Sequence, residues 1–386
     1  QVGRLMNRVS LLVAPLQARG RTLGVVVFAR HRTAPRFLEQ DVALAEELAA
    51  RSAMALDNAR LYHRERRTAL TLQSSLLPRE LQAPLGLDVA SRYLPASDLT
   101  GVGGDWYDVI PLPGGRAALV VGDVMGHGPR AAATMGQLRT AARTLASLDL
   151  NPAEALLQLN RMSQDLDATQ IATCLYAAYD PVTRTCAMAS AGHVPPILIY
   201  PDGLTEVIDL PPGLPLGIGS EPFQMREIML PVGGVLALYT DGLVESRDRD
   251  IDEGISALRD LLSVPLSDLE DICEATISAQ RSGHERDDIA LLLARVRELS
   301  ADQIAIWTLP AEPASVRQAR RLTRSKLAEW RLTCLADTTE LIVSELVTNA
   351  VSHGWAPIEV RLVRGRTLVC EVTDSSPMVP MLRTAR

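Results

Sequence analysis

Residues 119–132 read LVVGDVMGHGPRAA: an apolar, strand-like run stops at Asp123, a glycine-rich turn follows, and the helix-like AAATMGQLRTAARTLA occupies residues 131–146. Three more aspartates sit where an apolar run starts or stops: Asp105 in GGDWYD, Asp241 in LALYTDG and Asp287 in RDDIALLL. Each is weak alone. Asp-Gly is a common turn pair, so Asp241-Gly242 by itself reads as a turn, as do Asp108 and Asp288. All four in this order point to a carboxylate cluster at one end of a β-sheet.

Such a cluster calls for a cation. Two carboxylates about 4 Å apart repel by roughly 4 kcal/mol at an effective dielectric of 20, which pushes their pKa values upward. Oxygen-only ligation, with no Cys or His at ligand spacing, favours Mg²⁺ or Mn²⁺ over Zn²⁺. Two such ions roughly 3.5–4 Å apart can hold a water between them, lower its pKa and aim it at phosphorus. Hydrolysis of a phosphate monoester is among the slowest uncatalysed reactions, so this is the assistance it needs.

The motifs GVGGDWYDVI, VGDVMGHGPRAA, SAGHVPPILI, GLPLGI, YTDGLVESRD and RDDIALLL occur in this order. Through them the stretch from Leu85 to Val296 resembles the bacterial branch of the metal-dependent PP2C-type serine/threonine phosphatases. That is the family of sporulation stage II protein E and the stress-response sigma-factor regulator phosphatases. The resemblance implies an αββα sandwich that removes phosphate from phosphoserine on small anti-sigma-factor antagonist proteins. It implies that Asp123 bridges two ions, Mn²⁺ or Mg²⁺, and that the backbone carbonyl of Val124 ligates one of them. Asp105 would complete the second site, and Asp241 with Asp287 the first. Asp287 is chosen over Asp288 because it aligns with the ligand in the family's D-[DN]-I/V pattern.

Two departures stand out. Many members read GDG where this chain has Gly122-Asp123-Val124, and Val resists φ > 0. Eukaryotic relatives place a His two residues after the bridging aspartate as a candidate general acid, whereas Met125 here cannot donate a proton. His127 is the nearby candidate. His193 in SAGHVPP reads as structural or cleft-lining.

A length of 386 residues suggests two or three domains, and 47% apolar content suffices for packed cores. A formal charge of −7 and a pI near 5.5 argue against a nucleic-acid-binding surface. The arginines of residues 60–67 and 317–324 read as solvated helix faces. Cys174, Cys186, Cys273, Cys334 and Cys370 are scattered without CxxC spacing and read as core residues in a reducing compartment. No apolar run approaches the roughly 18 residues that span a bilayer, and no signal peptide is visible, so a cytoplasmic location away from membranes is expected. The sequence begins at Gln1 inside what reads as a domain, so an upstream portion is expected.

Residues 9–30 alternate the strand-like SLLVAPLQ, a turn at Arg19-Gly20-Arg21 and a second strand, LGVVVFA. From Glu39 to Leu77, Leu44, Leu48, Ala55, Ala59 and Tyr62 recur at helical intervals, and Pro78 supplies a stop. Hairpin and helix resemble the close of a GAF sensor domain running into a signalling helix; a plain amphipathic capping helix is the alternative. The seam is interrupted by Arg51 and by the charged run Arg64–Arg67, which fits a marginal coil and a homodimer through the linker helix. A small rotation there would bias the metal-site loops.

After the linker-like LPAEPAS, helical periodicity runs through VRQARRLTRSKLAEW and DTTELIVSELVTNAVSHG. Glu345 and Asn349 lie one turn apart on one face. SELVTNAVSHG followed by LVCEVTD resembles the N-box and first glycine-box strand of the GHKL ATPases, specifically the anti-sigma-factor serine kinases. That resemblance implies that Asn349 holds Mg²⁺ on the ATP phosphates, Glu345 orients the phosphate acceptor and Asp374 recognises the adenine amino group. Ser375, Ser376 and Pro377 stand where the family has glycines, and the sequence reaches Arg386 before any Gly-rich lid, which argues against ATP binding by the chain as given.

The expected organisation is multi-domain α/β. Residues 1–60 form the C-terminal part of a GAF-like domain, 39–80 a signalling helix, 85–297 the αββα phosphatase and 305–386 an incomplete GHKL-type α/β sandwich. Three functions fit: a sensor-gated phosphoserine phosphatase, an ATP-dependent anti-sigma serine kinase, and a non-catalytic partner-switching module that binds a sigma factor or its regulators.

Overall fold

Two largely apolar runs around Arg19-Gly20 make the first element. Strands β1 (Val9–Ala18) and β2 (Arg21–His31) pair antiparallel. Arg19 and Gly20 both take positive φ, 48° and 74°, the turn geometry whose twist suits a tight hairpin. The computed structural model describes residues 9–31, 34–78, 81, 83–95, 103–166, 170–245, 249–263, 268–280, 287–365 and 367–376, except the side chains of residues 9 and 65–75. Pro377–Arg386, the 65–67 side chains of the charged run and Arg286 therefore lie outside it. The chain divides into two units, residues 1–72 and 73–386.

In the first unit one face of the hairpin packs Leu12, Ala14, Leu16, Val26 and Phe28 against Ala45 and Ala49 of helix α1 (Glu39–Leu76). Asp41 caps the helix start by accepting from the Leu38 N–H, and Arg30 grips the same carboxylate at 2.6 Å and 3.0 Å. The other hairpin face leaves Leu11, Val13, Val25 and Val27 exposed.

The second unit holds a sandwich of two antiparallel five-stranded sheets. Its strands are β3 (Leu87–Leu94), β4 (Trp106–Pro111), β5 (Ala117–Val124), β6 (Ala172–Tyr179), β7 (Thr185–Ala191), β8 (Ile197–Ile199), β9 (Thr205–Val207), β10 (Met225–Met229), β11 (Val235–Tyr239) and β12 (Ile289–Val296). The first sheet runs β10-β7-β6-β5-β4 and the second β3-β12-β11-β8-β9. Helices α2 (Pro129–Ala146) and α3 (Pro152–Leu166) cover the first sheet. Helices α4 (Ile251–Leu262) and α5 (Leu269–Gln280) cover the second. This is the expected αββα arrangement.

Strand alternation builds its three apolar layers. In β5, Ala118, Val120 and Val124 face α2 and α3, while Leu119 and Val121 face the opposite sheet. A strand apolar on both faces is what a doubly covered central position demands. Gly122 lies directly under the Trp106 indole, where a Cβ would come within 2.3 Å of the ring.

The C-terminal region forms a three-stranded antiparallel sheet, β13 (Ile304–Leu309), β14 (Ile358–Arg364) and β15 (Leu368–Thr373), in that spatial order. Helices α6 (Pro313–Glu329) and α7 (Ala336–His353) pack on one face through Leu309, Ala319, Leu327, Val343, Val347, Val360 and Leu362. The other face turns Arg361 toward the sandwich. Its guanidinium bonds Asp180 Oδ2 at 2.9 Å and the Gly114 carbonyl at 2.8 Å, and its Nε lies 2.8 Å from Glu371 Oε2. Gly114 lies in the β4–β5 turn and Asp180 just past β6, so the two regions meet at the end of the sheet remote from Asp105 and Asp123.

Replacing Arg361 by Met should strand two carboxylates at this junction. The expected loss is about 2–3 kcal/mol in urea unfolding, below a fully buried pair because Glu371 is partly exposed. Metal binding at the opposite end should be unchanged.

Candidate metal centre

The parity that builds the core also aims the acids. Asp105 follows the phase of Tyr107 and Val109 and so turns toward the space between the sheets. Asp123 shares the phase of Leu119 and Val121, Thr240 that of Leu236 and Leu238, and Asp288 that of Ala290 and Leu292. All four stand at one end of the inter-sheet layer. Asp241 begins the single turn Asp241–Leu243 after β11, and Asp287 is exposed at the rim before β12.

Asp105 is 1% exposed, and Thr240 donates its hydroxyl to Asp105 Oδ2 at 2.6 Å. The same hydroxyl accepts from the Ala290 N–H at 2.8 Å, which ties the acid to both sheets. Asp105 and Asp123 are close enough for each to shift the other's pKa. Burial first, then the charge of Asp123, push Asp105 well above the usual carboxylate range. Burial pushes Asp123 up to about 7, with Asp241, Asp287 and Asp288 adding to it against the lowering influence of Asp105. Asp241 rises to about 6 through burial and Asp287.

The main influences on these three carboxyls are burial and other acids, with no cation among them. Asp241 Oδ1 is buried without a hydrogen-bond partner. Hard divalent ions fit both features, since they supply the charge and the ligand that such a set lacks. Among the described residues no three acidic, His or Cys side chains are arranged to hold one ion.

Val124 closes β5 in ordinary extended backbone, and the left-handed conformations fall on Gly126 and Gly128 at φ 94° and 99°. Val in place of Gly therefore strains nothing. Gly104 presses on this strand end: a Cβ there would come 2.2 Å from the Val124 carbonyl oxygen. Met125 and His127 are exposed on the following turn. His193 is part-buried, with Nδ1 2.7 Å from Thr173 Oγ1 and Nε2 3.0 Å from the Tyr239 carbonyl. Burial pushes its pKa down to about 4, which keeps the ring neutral near pH 7.

Sequence reading missed several participants. Thr240 sits inside LALYTDG, and its place one residue before an expected ligand, on the inward phase of β11, was the available signal. Asp288 read as a turn residue, yet it is 3% exposed beside Asp105, hydrogen-bonds Tyr93 and fills the place of any Cβ at Gly103. Asp108 also read as a turn residue. It lies on the opposite phase of β4 and is held by Arg139 Nε at 2.8 Å and by Arg143 at 2.6 Å, both from α2. Arg139 also donates to the Leu76 carbonyl at the end of α1, whose side chain rests over Gly136.

In the C-terminal region Glu345 and Asn349 are exposed on one face of α7. Asp374 follows β15, and its Oδ1 accepts from the N–H groups of Ser376 at 2.7 Å and Trp355 at 3.4 Å.

The raised carboxyls make a pH prediction. Protons on Asp241 and Asp123 must leave before an ion binds, so affinity for Mn²⁺ should climb as pH passes about 6 and then about 7. The metal-free protein is favoured while these groups are protonated and loses that contribution through the same window. The rise in Tm on adding Mn²⁺ should therefore be larger at about pH 8 than at about pH 5.5, and an equal rise contradicts this account.

The family model for Stage II sporulation protein E (SpoIIE) matches residues 113–297, that for a histidine kinase-like ATPase domain residues 309–385, and that for a GAF domain residues 1–56. The chain is 29% identical over 182 residues to phosphoserine phosphatase RsbU of Bacillus subtilis (strain 168), covering 46% of this chain and 53% of that protein. It is 25% identical over 238 residues to phosphoserine phosphatase RsbP of the same organism, covering 59% and 58%. The chain thus spans somewhat over half the length of the curated relatives it matches. The crystal structure of the RsbU and RsbW domains of Rv1364c from Mycobacterium tuberculosis is similar at 32% identity and a TM-score of 0.54, covering 75% of this chain and 83% of that one. With that likeness extending over three quarters of the chain, the chain belongs to the bacterial PP2C-type serine phosphatases of the SpoIIE family.

Proposed function

We propose that this protein hydrolyses phosphoserine on an anti-sigma-factor antagonist, in a metal-dependent reaction gated by the helix upstream. The observation that carries this reading is the meeting of Asp105, Asp123 and Asp241 at one sandwich end, with Asp241 Oδ1 left without a partner. Asp105, Asp123, the Val124 carbonyl, Asp241 and Asp287 would hold two Mn²⁺ or Mg²⁺ ions. Such ions, when bound, act as Lewis acids on a phosphoryl oxygen and lower the pKa of water.

The chain's own groups supply orientation. Thr240 locks the Asp105 carboxyl, and the packed layer behind it closes the cleft from the inside. The exposed turn with Met125 and His127 leaves the mouth open to a phosphoserine carried on a protein surface. The departing serine oxygen needs a proton, and His127 is the side chain on that turn able to deliver it.

The gate in this reading is the end of α1. Leu76 sits on α2 at Gly136, and Arg139 joins its carbonyl to Asp108, three residues along β4 from Asp105. Exposed Leu44 and Leu48 on α1 supply the homodimer seam. Within the described residues no helix is long and apolar enough to cross a membrane; a cytoplasmic location belongs to the proposal. So do the functional limits 1–60, 39–80, 85–297 and 305–386.

For the C-terminal region we favour a partner-binding role toward a sigma factor over kinase activity. Asp374, assigned to adenine by resemblance, already accepts from two backbone N–H groups. Any ATP binding in this region would run through Glu345, Asn349 and Asp374.

Purified chain should dephosphorylate a phosphoserine antagonist protein in Mn²⁺ and stop in EDTA, followed by loss of phosphate mass. Asp123→Asn should lower kcat at least ~100-fold, the scale of removing a principal electrostatic group. Equal rates with and without metal would sink the reading. For the gate, Arg139→Met should depress activity and Mn²⁺ affinity more than Arg143→Met, because only Arg139 also holds Leu76. Equal effects of the two would remove α1 from the mechanism.

A further inference from the structure

The motif SAGHVPP at residues 190–196 is not used by any step above. Its loop is tightly determined. Ser190 Oγ accepts from the His193 N–H at 3.0 Å and donates to the His193 carbonyl at 3.1 Å, closing the turn on itself. Gly192 sits at φ 66°, and a Cβ there would come 2.7 Å from the Pro215 ring. Such a loop delivers the imidazole to one place.

That place lies between the two sheets. Thr173, bonded to Nδ1, is on β6 of the first sheet and stands opposite Asp123 in the β5–β6 register. The Tyr239 carbonyl, bonded to Nε2, ends β11 of the second sheet, one residue before Thr240 and two before Asp241. A carbonyl can only accept, so Nε2 carries the hydrogen and Nδ1 accepts from the Thr173 hydroxyl. One tautomer satisfies both partners.

We propose that His193 is a positioning residue for the metal centre, tying β6 to the end of β11 so that Asp123 and Asp241 are held at a set separation across the mouth of the sandwich. Apolar packing between sheets is non-directional and lets them slide by fractions of an ångström. Two directed hydrogen bonds from one rigid ring resist that sliding where the acids must cooperate. The role rests on the metal-centre reading of the same site, and it assigns the ring no contact with substrate.

Mn²⁺ binding measured by titration calorimetry on the full chain tests it, with kcat and KM on a phosphoserine protein as a second readout. His193→Phe keeps the volume and removes both bonds. It should weaken Mn²⁺ binding about tenfold or more, in line with outer-shell partners of metal sites. His193→Gln keeps a donor toward Tyr239 and should recover part of the loss. Thr173→Val should weaken binding less than His193→Phe and add nothing to it in the double variant. Should His193→Phe fail to fold, the Gln and Thr173→Val variants still decide the matter. Unchanged Mn²⁺ affinity in these variants, with only a lower Tm, overturns the proposal while leaving the phosphatase reading intact. No Mn²⁺ binding by the unsubstituted chain overturns both.

Discussion

Like charges forced together at one end of a sandwich are the constraint around which this molecule is organised. Two ionised carboxylates about 4 Å apart would repel by roughly 4 kcal/mol at an effective dielectric of 20, and burial raises the penalty for every ionised member, so these acids hold their protons to higher pH than free carboxylates do. A fold that tolerates this at Asp105, Asp123 and Asp241 must be strongly held elsewhere. Here the holding is done by three apolar layers, from α2 and α3 through both sheets to α4 and α5. The acids occupy the rim of the middle layer, at the strand ends.

The two ends of the sandwich are thereby given different work. At one end, acids face each other, and hydroxyl and imidazole bonds from Thr240 and His193 fix the strands that carry them. At the other, Arg361 pairs with both Asp180 and Glu371 and docks the C-terminal sheet. The β4–β5 hairpin spans both, with Asp105 and Asp123 at its open end and Gly114 at its turn. The C-terminal region is thus anchored without covering the acidic mouth. Asp108 adds a third attachment on the helix-facing side of β4, where Arg139 links it to the last turn of α1.

Much of this was legible in the chain. The four aspartates were marked by their position at the ends of apolar runs, because an unpaired charge is costly in the middle of a buried strand. The hairpin at Arg19-Gly20 and the long helix from Glu39 announced themselves through turn chemistry and period. The concern that Val124 lacks the freedom of glycine was misplaced: the positive φ angles fall on Gly126 and Gly128, and Val124 extends the strand. Asp288 and Asp108 were read as ordinary turn residues because a pair such as Asp-Asp or Tyr-Asp does not reveal which face each member takes until the strand phase is known.

Apolar runs and the aspartates at their ends were legible along the chain as local pattern, while the αββα class was an expectation carried by the resemblance of the ordered motifs to a known family. Distances across the molecule were decided only by the packed structure. Which sheet faces which, whether Thr240 reaches Asp105, and where the His193 ring lands depend on register and layer contact between segments more than a hundred residues apart in some cases, as with the 135-residue separation of Thr240 and Asp105. Local pattern carries no information about such separations, because they are set by how side chains from distant strands fill a shared volume.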